Sequence, residues 1–179
     1  MGSALLIIDV QKDLFDLTPR PADADMVIAR INELASRARH MGMPVVFVQH
    51  ETKRGELEYG SPGWDLEAQL TVDQRDHKIR KTTPDSFLRT RLGELLSSLN
   101  VSQVIICGYA SEFCVDTTVR RAAALGYEVV LVSDAHTTHD KAHANAVQIR
   151  EHHNATLPNI TSFGPRIRAL KSSEVEFGA

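Results

Sequence analysis

Three side chains that can act together in covalent catalysis, Asp9, Lys81 and Cys114, each lie at or just past the end of a predicted strand. A thiol becomes a good nucleophile when a base accepts its proton and a positive group stabilises the remaining anion. Asp9 is suited to be that base, and Lys81 to stabilise both the carboxylate and the thiolate. Attack on a carbonyl or nitrile-like carbon would then give a thioester-type intermediate, which water hydrolyses. The alternatives are ordinary ones: Asp9 as a cap and Lys81 as a solvated charge.

The stretch around Cys114 predicts that this thiol lies at the start of a helix. The apolar run 104–107 is typical of a buried strand, Gly108 ends it, and a helical period follows from about residue 112. Backbone N–H groups in the first turn have no partner inside the helix, and the helix dipole makes that end positive. Both effects favour a thiolate, and the same N–H groups can hold an oxyanion. The alternative is a packed structural cysteine, which is the role that we predict for Cys107.

The elements that must position these residues alternate along the chain. We predict strands at 4–9, 45–48, 77–80, 104–107, 128–132 and 157–161. We predict helices at 23–41, 86–99, 112–125 and 142–153. This alternation is typical of an α/β fold, a three-layer sandwich around a mostly parallel six-stranded sheet. With the Rossmann-like strand order 3-2-1-4-5-6, strands one and four are neighbours, and Asp9 and Cys114 face one crevice beyond their carboxyl ends.

The composition narrows the classes of function. The 179 residues fit one domain, which we place at 1–179, and the net charge of −3 provides no basic field for nucleic acid. No stretch approaches the roughly 20 apolar residues of a membrane span, and the start of the chain has no signal-peptide pattern. The two cysteines do not form a disulfide framework, so we expect a reducing, cytoplasmic setting. We expect the polar tail after Leu170 to fray.

Three ordered segments carry a resemblance to a known family. ALLIIDVQKDLF, KTTPDSF and GYASEFCVDTT resemble the signature segments of the isochorismatase-like cysteine hydrolases, and SPGW and SDAHTTHD are similar to it as well. The superfamily includes nicotinamidases, N-carbamoylsarcosine amidohydrolases, streptothricin hydrolases and the isochorismatases themselves. The resemblance extends from Ala4 to about Phe163. It implies a single isochorismatase-like hydrolase domain that works without a cofactor.

The resemblance also implies roles for individual residues. Asp9 would be the base, Lys81 its cationic partner and Cys114 the nucleophile. A cis peptide bond would join Tyr109 to Ala110, and the N–H groups of Ala110 and Cys114 would form the oxyanion hole. Candidate walls of the substrate pocket are Gln11, Phe15, Trp64, Tyr109 and Phe113.

Two of the candidate pocket residues have an alternative role. Core packing is an equal alternative for Phe15, and hydrogen bonding at a strand end is the stronger one for Gln11. Related proteins are dimers or tetramers, so the resemblance implies a homo-oligomer.

The region after the second strand departs from the nicotinamidases. Those enzymes carry an Asp-x-His pair and a further His that bind a metal, whereas here His50 stands alone. We therefore expect neither nicotinamidase activity nor a metal. The segment HDKAH spaces His139 and His143 by four residues, as in zinc proteases, but Asp140 is too short for the usual Glu role. We interpret this pair as part of a surface or interface helix.

Three functions follow from these observations. The first is a cofactor-free cysteine hydrolase that cleaves a C–N bond in a small amide, ureide or lactam-like substrate. The second is isochorismatase-type hydrolysis of a vinyl ether, which some relatives carry out without a cysteine. The third is a non-catalytic α/β binding protein that retains the pocket. The presence of Cys114 favours the first.

Overall fold

The protein folds around a six-stranded, entirely parallel sheet in a computed structural model that describes residues 2–177. The strand order is β3-β2-β1-β4-β5-β6, which confirms the predicted α/β fold and its order. The strands are β1 (Gly2–Ile8), β2 (Val45–His50), β3 (His77–Lys81), β4 (Val101–Tyr109), β5 (Glu128–Thr137) and β6 (Ile167–Leu170). The helices are α1 (Lys12–Phe15), α2 (Ala24–His40), α3 (Leu92–Ser98), α4 (Asp116–Ala124) and α5 (Ala146–Thr156).

The central strands are apolar on both faces because helices cover both faces. Along β1, Leu5 and Ile7 pack into a hydrophobic cluster with α2, while Leu6 and Ile8 pack into a second cluster with α3 and α4. Side chains alternate between the two faces of a strand, so a sheet buried on both sides needs an unbroken apolar run. No helix within residues 2–177 combines the length and the apolar character that a membrane span requires.

The last predicted strand is wrong. Residues 157–161 do not form a strand: Leu157–Asn159 is a single 3₁₀ turn that continues α5, and the sixth strand is β6, further along the chain. Pro158 has no N–H to offer a sheet. Leu157 is fully buried, so its apolar signal reflects packing in the core rather than a strand.

The helix predicted at 86–99 forms only over α3. Before it, side chains take the backbone hydrogen bonds that a helix would need: Phe87 N donates to Asp85 Oδ1 at 2.8 Å, and Thr90 Oγ1 donates to the Ser86 carbonyl at 2.6 Å. Arg89 has a positive φ of 58°. Such local bonds compete with helix formation.

The expectation that the tail frays is also wrong as far as Phe177. Val175 and Phe177 are buried in the cluster that α2 lines. Arg37 of α2 donates to the carbonyls of Ser172 and Val175, and its guanidinium lies 5.1 Å from the centre of the Phe177 ring. These contacts anchor the end of the described chain against α2.

Close contact between β1 and β4 fixes the relative position of the two strand ends that matter most. Gly108 pairs with Ile8, has a φ of 115°, and a Cβ there would lie 2.1 Å from the Ile8 carbonyl oxygen. Only glycine fits such an approach. Asp9, the residue that follows Ile8 at the end of β1, also has a positive φ of 51°. On the other side, His50 at the end of β2 pairs with Lys81 at the end of β3.

Candidate active site

The three reactive side chains predicted from the sequence meet at the carboxyl ends of the strands. Lys81 Nζ lies 2.6 Å from Asp9 Oδ2 and 3.2 Å from Cys114 Sγ. The side chains of Lys81 and Asp9 are 0% and 2% exposed, so the ion pair lies in the interior. A buried charged pair of this kind is costly to keep unless each charge has close partners. Lys81 therefore contacts both the Asp9 carboxylate and the Cys114 thiol.

Asp9 is held rigidly but has one oxygen free within the described chain. Its backbone N–H donates to the Val48 carbonyl of β2 at 2.8 Å. Its Oδ2 accepts from Lys81, whereas its buried Oδ1 has no hydrogen-bond partner among residues 2–177. A buried carboxylate oxygen without a donor is unusual in a native structure. Asp9 Oδ1 therefore keeps its capacity to accept a hydrogen bond or a proton.

Cys114 lies in a π-helical turn rather than in the first turn of an α-helix. The turn comprises Ser111–Val115, and α4 begins immediately after it. Val115 N donates to the Ala110 carbonyl at 3.1 Å, a bond across five residues that widens the turn. The peptide bond between Tyr109 and Ala110 is cis. Single π turns occur frequently at functional sites.

The protonation of Cys114 differs from the sequence-based expectation. The helix-start argument favours a thiolate, but burial, assisted by the Asp9 carboxylate, raises the pKa of the Cys114 thiol to about 12, while the Lys81 ammonium acts in the opposite direction. Desolvation disfavours the charged form of any acid. The resting side chain is therefore a thiol, and the dipole of a helix that starts two residues later does not reverse this.

His50 joins the cluster, although no role was predicted for it from the sequence. Its Nδ1 lies 3.3 Å from Lys81 Nζ. Asp9, His50 and Cys114 form the one group within residues 2–177 whose potential metal-ligand atoms all lie within 4.8 Å of one another. The Lys81 ammonium lies within hydrogen-bond distance of one atom from each of them. Asp9, His50 and Cys114 thus surround the side-chain ammonium of Lys81.

A buried histidine supports the turn that carries Cys114, and the sequence analysis missed it. His136 near the end of β5 is 0% exposed; its Nδ1 lies 2.8 Å from Ser111 Oγ and its Nε2 lies 2.9 Å from Asn154 Oδ1. Asn154 Nδ2 donates to the Ser133 carbonyl, which assigns Oδ1 as an acceptor, His136 Nε2 as a donor and Ser111 Oγ as the donor to Nδ1. Burial lowers the pKa of His136 to about 4, so the ring is neutral at pH 7.

A second support reaches the turn from the loop after β5. Glu112 Oε1 accepts from Thr138 Oγ1 at 2.9 Å and lies 3.2 Å from Lys141 Nζ. Lys141 Nζ also lies 5.6 Å from the centre of the Phe113 ring. His136, Thr138 and Lys141 fall within or beside the segment SDAHTTHD, whose resemblance to the family was the only signal for them in the sequence.

Two of the candidate pocket residues serve the scaffold. Gln11 Nε2 donates to the carbonyls of His50 and Trp64, and Gln11 Oε1 accepts from the His50 N–H at 2.8 Å. These bonds use the whole amide, as expected for a hydrogen bonder at a strand end. Phe15 is fully buried and packs edge-on against Tyr109 at 5.7 Å between ring centres.

The other three candidates, Trp64, Tyr109 and Phe113, differ in their contacts and in their exposure. Trp64 packs edge-on against Tyr59 at 4.9 Å, and its buried Nε1 has no partner within the described residues. Tyr109 Oη lies 2.8 Å from His139 Nδ1, and burial raises the pKa of its phenol to about 12. Phe113 is 55% exposed.

The histidine pair of HDKAH is not on one helix. His139 lies in the loop after β5, where its Nε2 is 2.9 Å from the Pro19 carbonyl oxygen and its Nδ1 contacts Tyr109. His143 is exposed in the same loop, and α5 begins only after the Asn145 capping box. The predicted surface helix at 142–153 is thus shifted, and the i, i+4 geometry of a zinc motif is absent.

Comparisons with known proteins agree with this architecture. A family model described as the isochorismatase domain matches residues 3–162. The chain is 39% identical over 138 residues to a streptothricin hydrolase of Streptomyces noursei, covering 76% of this chain and 55% of that protein. It is 28% identical over 178 residues to nicotinamidase 3 of Arabidopsis thaliana, covering 90% of this chain and 81% of that protein.

A solved structure extends the comparison to three dimensions. The crystal structure of an isochorismatase family protein matches with a TM-score of 0.86 and 36% identity, over 94% of this chain and 98% of that chain. The chain spans about half the length of the streptothricin hydrolases that it matches. Because the domain match contains Asp9, Lys81 and Cys114 and most of the described chain, the resemblance is confirmed, and the chain belongs to the isochorismatase family of hydrolases.

Proposed function

We propose that the protein is a cofactor-free cysteine hydrolase that cleaves a C–N bond of a small amide, ureide or lactam-like substrate. The observation that carries the proposal is the buried ammonium of Lys81, in contact with both Asp9 Oδ2 and Cys114 Sγ. A base, a cation and a thiol in mutual reach are the parts that thiol-based acyl transfer requires. A protein that used the same fold only for binding would have no need of a buried ion pair beside a thiol.

In the first half of the reaction, Cys114 forms a thioester. The Cys114 thiol passes its proton to Asp9, and the sulfur attacks the substrate carbonyl carbon. The carbonyl oxygen becomes an oxyanion, which we assign to the backbone N–H groups of Ala110 and Cys114; one such donor is worth roughly 3–4 kcal/mol. The C–N bond then breaks, and the leaving nitrogen takes the proton from Asp9.

In the second half, water releases the product. Asp9 accepts a proton from a water molecule, whose oxygen attacks the thioester carbon. The C–S bond breaks, the carboxylic product leaves, and the proton on Asp9 returns to Cys114. Each half uses Asp9 once as a base and once as an acid, which is the pattern of a general acid–base catalyst.

Relatives support the choice of a C–N bond over the ether. One relative is named as a nicotinamidase, an amide-cleaving enzyme, and another as a streptothricin hydrolase. The chain retains the cysteine, which ether-cleaving members of the family do not all have. The region after β2 lacks the metal-binding pair of the nicotinamidases, so we assign a substrate other than nicotinamide.

The experiment is a panel of small primary amides, ureides and lactams, with mass-spectrometric trapping of an acyl group on Cys114. We expect turnover and an acyl adduct in the wild type, and loss of both in Cys114→Ala with the fold retained. Cys107→Ala is the matched control, because the Cys107 thiol is buried in β4 and donates to the Leu6 carbonyl, so its loss should leave turnover intact. Wild-type turnover in Cys114→Ala would refute the role of the thiol. Release of pyruvate from isochorismate, with no hydrolysis of any amide, would establish the ether reaction instead.

A further inference from the structure

The Lys81 ammonium has three N–H bonds, and its contacts with Asp9 and Cys114 account for two of them. These point to Asp9 Oδ2 at 2.6 Å and Cys114 Sγ at 3.2 Å. The third acceptor within reach is His50 Nδ1, at 3.3 Å. The Lys81 side chain is 0% exposed, so solvent cannot satisfy this third N–H. An ammonium N–H that has no hydrogen-bond partner in the interior is strongly disfavoured.

The backbone of His50 is fixed so that its ring faces Lys81. His50 ends β2 directly beside Lys81 in the parallel register. The Gln11 amide accepts from the His50 N–H at 2.8 Å and donates to the His50 carbonyl at 3.0 Å. Because Gln11 is itself completely buried, this clamp leaves little freedom to the strand end.

The surroundings of the ring favour an unprotonated Nδ1. Burial lowers the pKa of the His50 imidazole, and the Lys81 ammonium lowers it further, whereas Asp9, a hydrogen bond to the Thr83 backbone and Glu51 act in the opposite direction. Because the Lys81 ammonium can only donate, its 3.3 Å contact with Nδ1 assigns the lone pair to Nδ1 and the proton of the neutral ring to Nε2. Cys114 completes the set of titratable groups that face the ring.

We propose that His50 is a positioning residue: its Nδ1 accepts the third N–H of Lys81 and thereby aims the other two at Asp9 Oδ2 and Cys114 Sγ. The inference rests on the proposed hydrolase and adds a fourth member to its site. With all three acceptors present, the ammonium cannot rotate away from the sulfur. Without His50, the contact to Asp9 at 2.6 Å survives, but the longer contact to Cys114 is no longer enforced.

The test compares three substitutions of His50 and one control. His50→Asn keeps an acceptor oxygen near the position of Nδ1, whereas His50→Ala and His50→Leu remove the acceptor, the second with the volume largely kept. His40→Ala is the matched control, because His40 is exposed at the end of α2. Thermal melting of each variant establishes that it is folded.

Two readouts separate positioning from general damage. The first is the second-order rate constant for alkylation of Cys114 by iodoacetamide at pH 8, which requires no substrate. The second is kcat and KM on the amide found by the panel. We expect His50→Ala and His50→Leu to lower the alkylation rate several-fold and kcat by roughly 10–100-fold with KM nearly unchanged, since small misplacements of catalytic groups have effects of this size. We expect His50→Asn to remain within about threefold of the wild type in both.

The outcomes distinguish this inference from the proposed function. Equal alkylation and turnover in His50→Ala, His50→Leu and wild type would overturn the positioning role while leaving the hydrolase intact. Faster alkylation in His50→Ala would also overturn it, because His50 would then only screen the thiol. Loss in His50→Asn as large as in His50→Leu would show that the acceptor is not what matters. Failure of the hydrolase itself would appear separately, as turnover in Cys114→Ala.

Discussion

Replacing Lys81 by Met tests the buried ion pair at the centre of the site. Methionine fills most of the same volume but removes the ammonium that lies 2.6 Å from Asp9 Oδ2. Asp9 then keeps a negative charge in the interior with its Oδ1 also lacking a partner among the described residues. Breaking a buried pair by removing one member costs about 3–5 kcal/mol, which for a protein of this size corresponds to a melting temperature lower by about 6–20 °C.

The pH dependence of that loss identifies its cause. A lone buried carboxylate can take up a proton, which removes the penalty. The free energy of unfolding of Lys81→Met should therefore fall further below that of the wild type as the pH rises, and approach it at acid pH. Urea unfolding at about pH 5 and pH 8, followed by circular dichroism, measures both differences.

Two further variants make the interpretation secure. The double variant Asp9→Asn with Lys81→Met removes both charges and should recover much of the stability lost at pH 8. Lys12→Met removes an exposed pair with Asp65, in which the side chains are 36% and 54% exposed, and should cost less than about 1 kcal/mol. If Lys81→Met were no less stable than Lys12→Met at pH 8, the pair would not be the buried charge network that we describe.

Three further predictions concern the thiol, the strand contact and the buried histidine. Because the pKa of the Cys114 thiol is about 12, its alkylation rate should rise with pH up to about pH 10 without a plateau; a plateau below pH 8 would contradict the resting thiol. Gly108→Ala should abolish folding or activity because its Cβ would lie 2.1 Å from the Ile8 carbonyl oxygen, whereas Gly126→Ala, at a similar positive φ of 97° but in open space, should cost only about 1 kcal/mol, as measured by urea unfolding. Burial lowers the pKa of His136 to about 4, below its usual 6.5, so the contribution of the neutral ring to the free energy of unfolding is complete above pH 6.5. This contribution should decline by about 3 kcal/mol as the pH falls to 4. The same decline in the free energy of unfolding of His136→Asn would refute this assignment.

The sequence predicted the central strands well because their signal is physical and local. A strand such as β1, covered on both faces, must be an unbroken apolar run, and such runs are visible in one sequence. The strand order and the meeting of Asp9, Lys81 and Cys114 came from the fold class and the family resemblance, not from any local pattern. The last predicted strand was misplaced because Leu157 is a buried core residue in a turn and not part of a strand. The spacing of apolar residues cannot distinguish these two kinds of buried position.

The parts of the site that the sequence did not predict depend on contacts between distant elements. His50 looked like a lone histidine because its partner Lys81 follows 31 residues later and meets it only through strand pairing. His136 reaches Ser111 across 25 residues, and its meaning depends on Asn154 from a third element. The π turn likewise depends on backbone bonds across five residues, from Val115 N to the Ala110 carbonyl and from Asp116 N to the Ser111 carbonyl, which composition does not encode.

The resting thiol and the proposed nucleophile are compatible because of the charge balance around Lys81. With Asp9 ionised and Cys114 protonated, the ammonium lies closer to the carboxylate, at 2.6 Å, than to the sulfur, at 3.2 Å. Moving the proton from Cys114 to Asp9 turns a carboxylate and a thiol into a carboxylic acid and a thiolate. The number of buried charges does not change, and the ammonium exchanges one anionic partner for another. The pKa of about 12 describes loss of the proton to solvent while Asp9 is still negative, which is a different and more costly step. A proton that stays within the site therefore gives a reactive sulfur without a second unpaired charge in the interior.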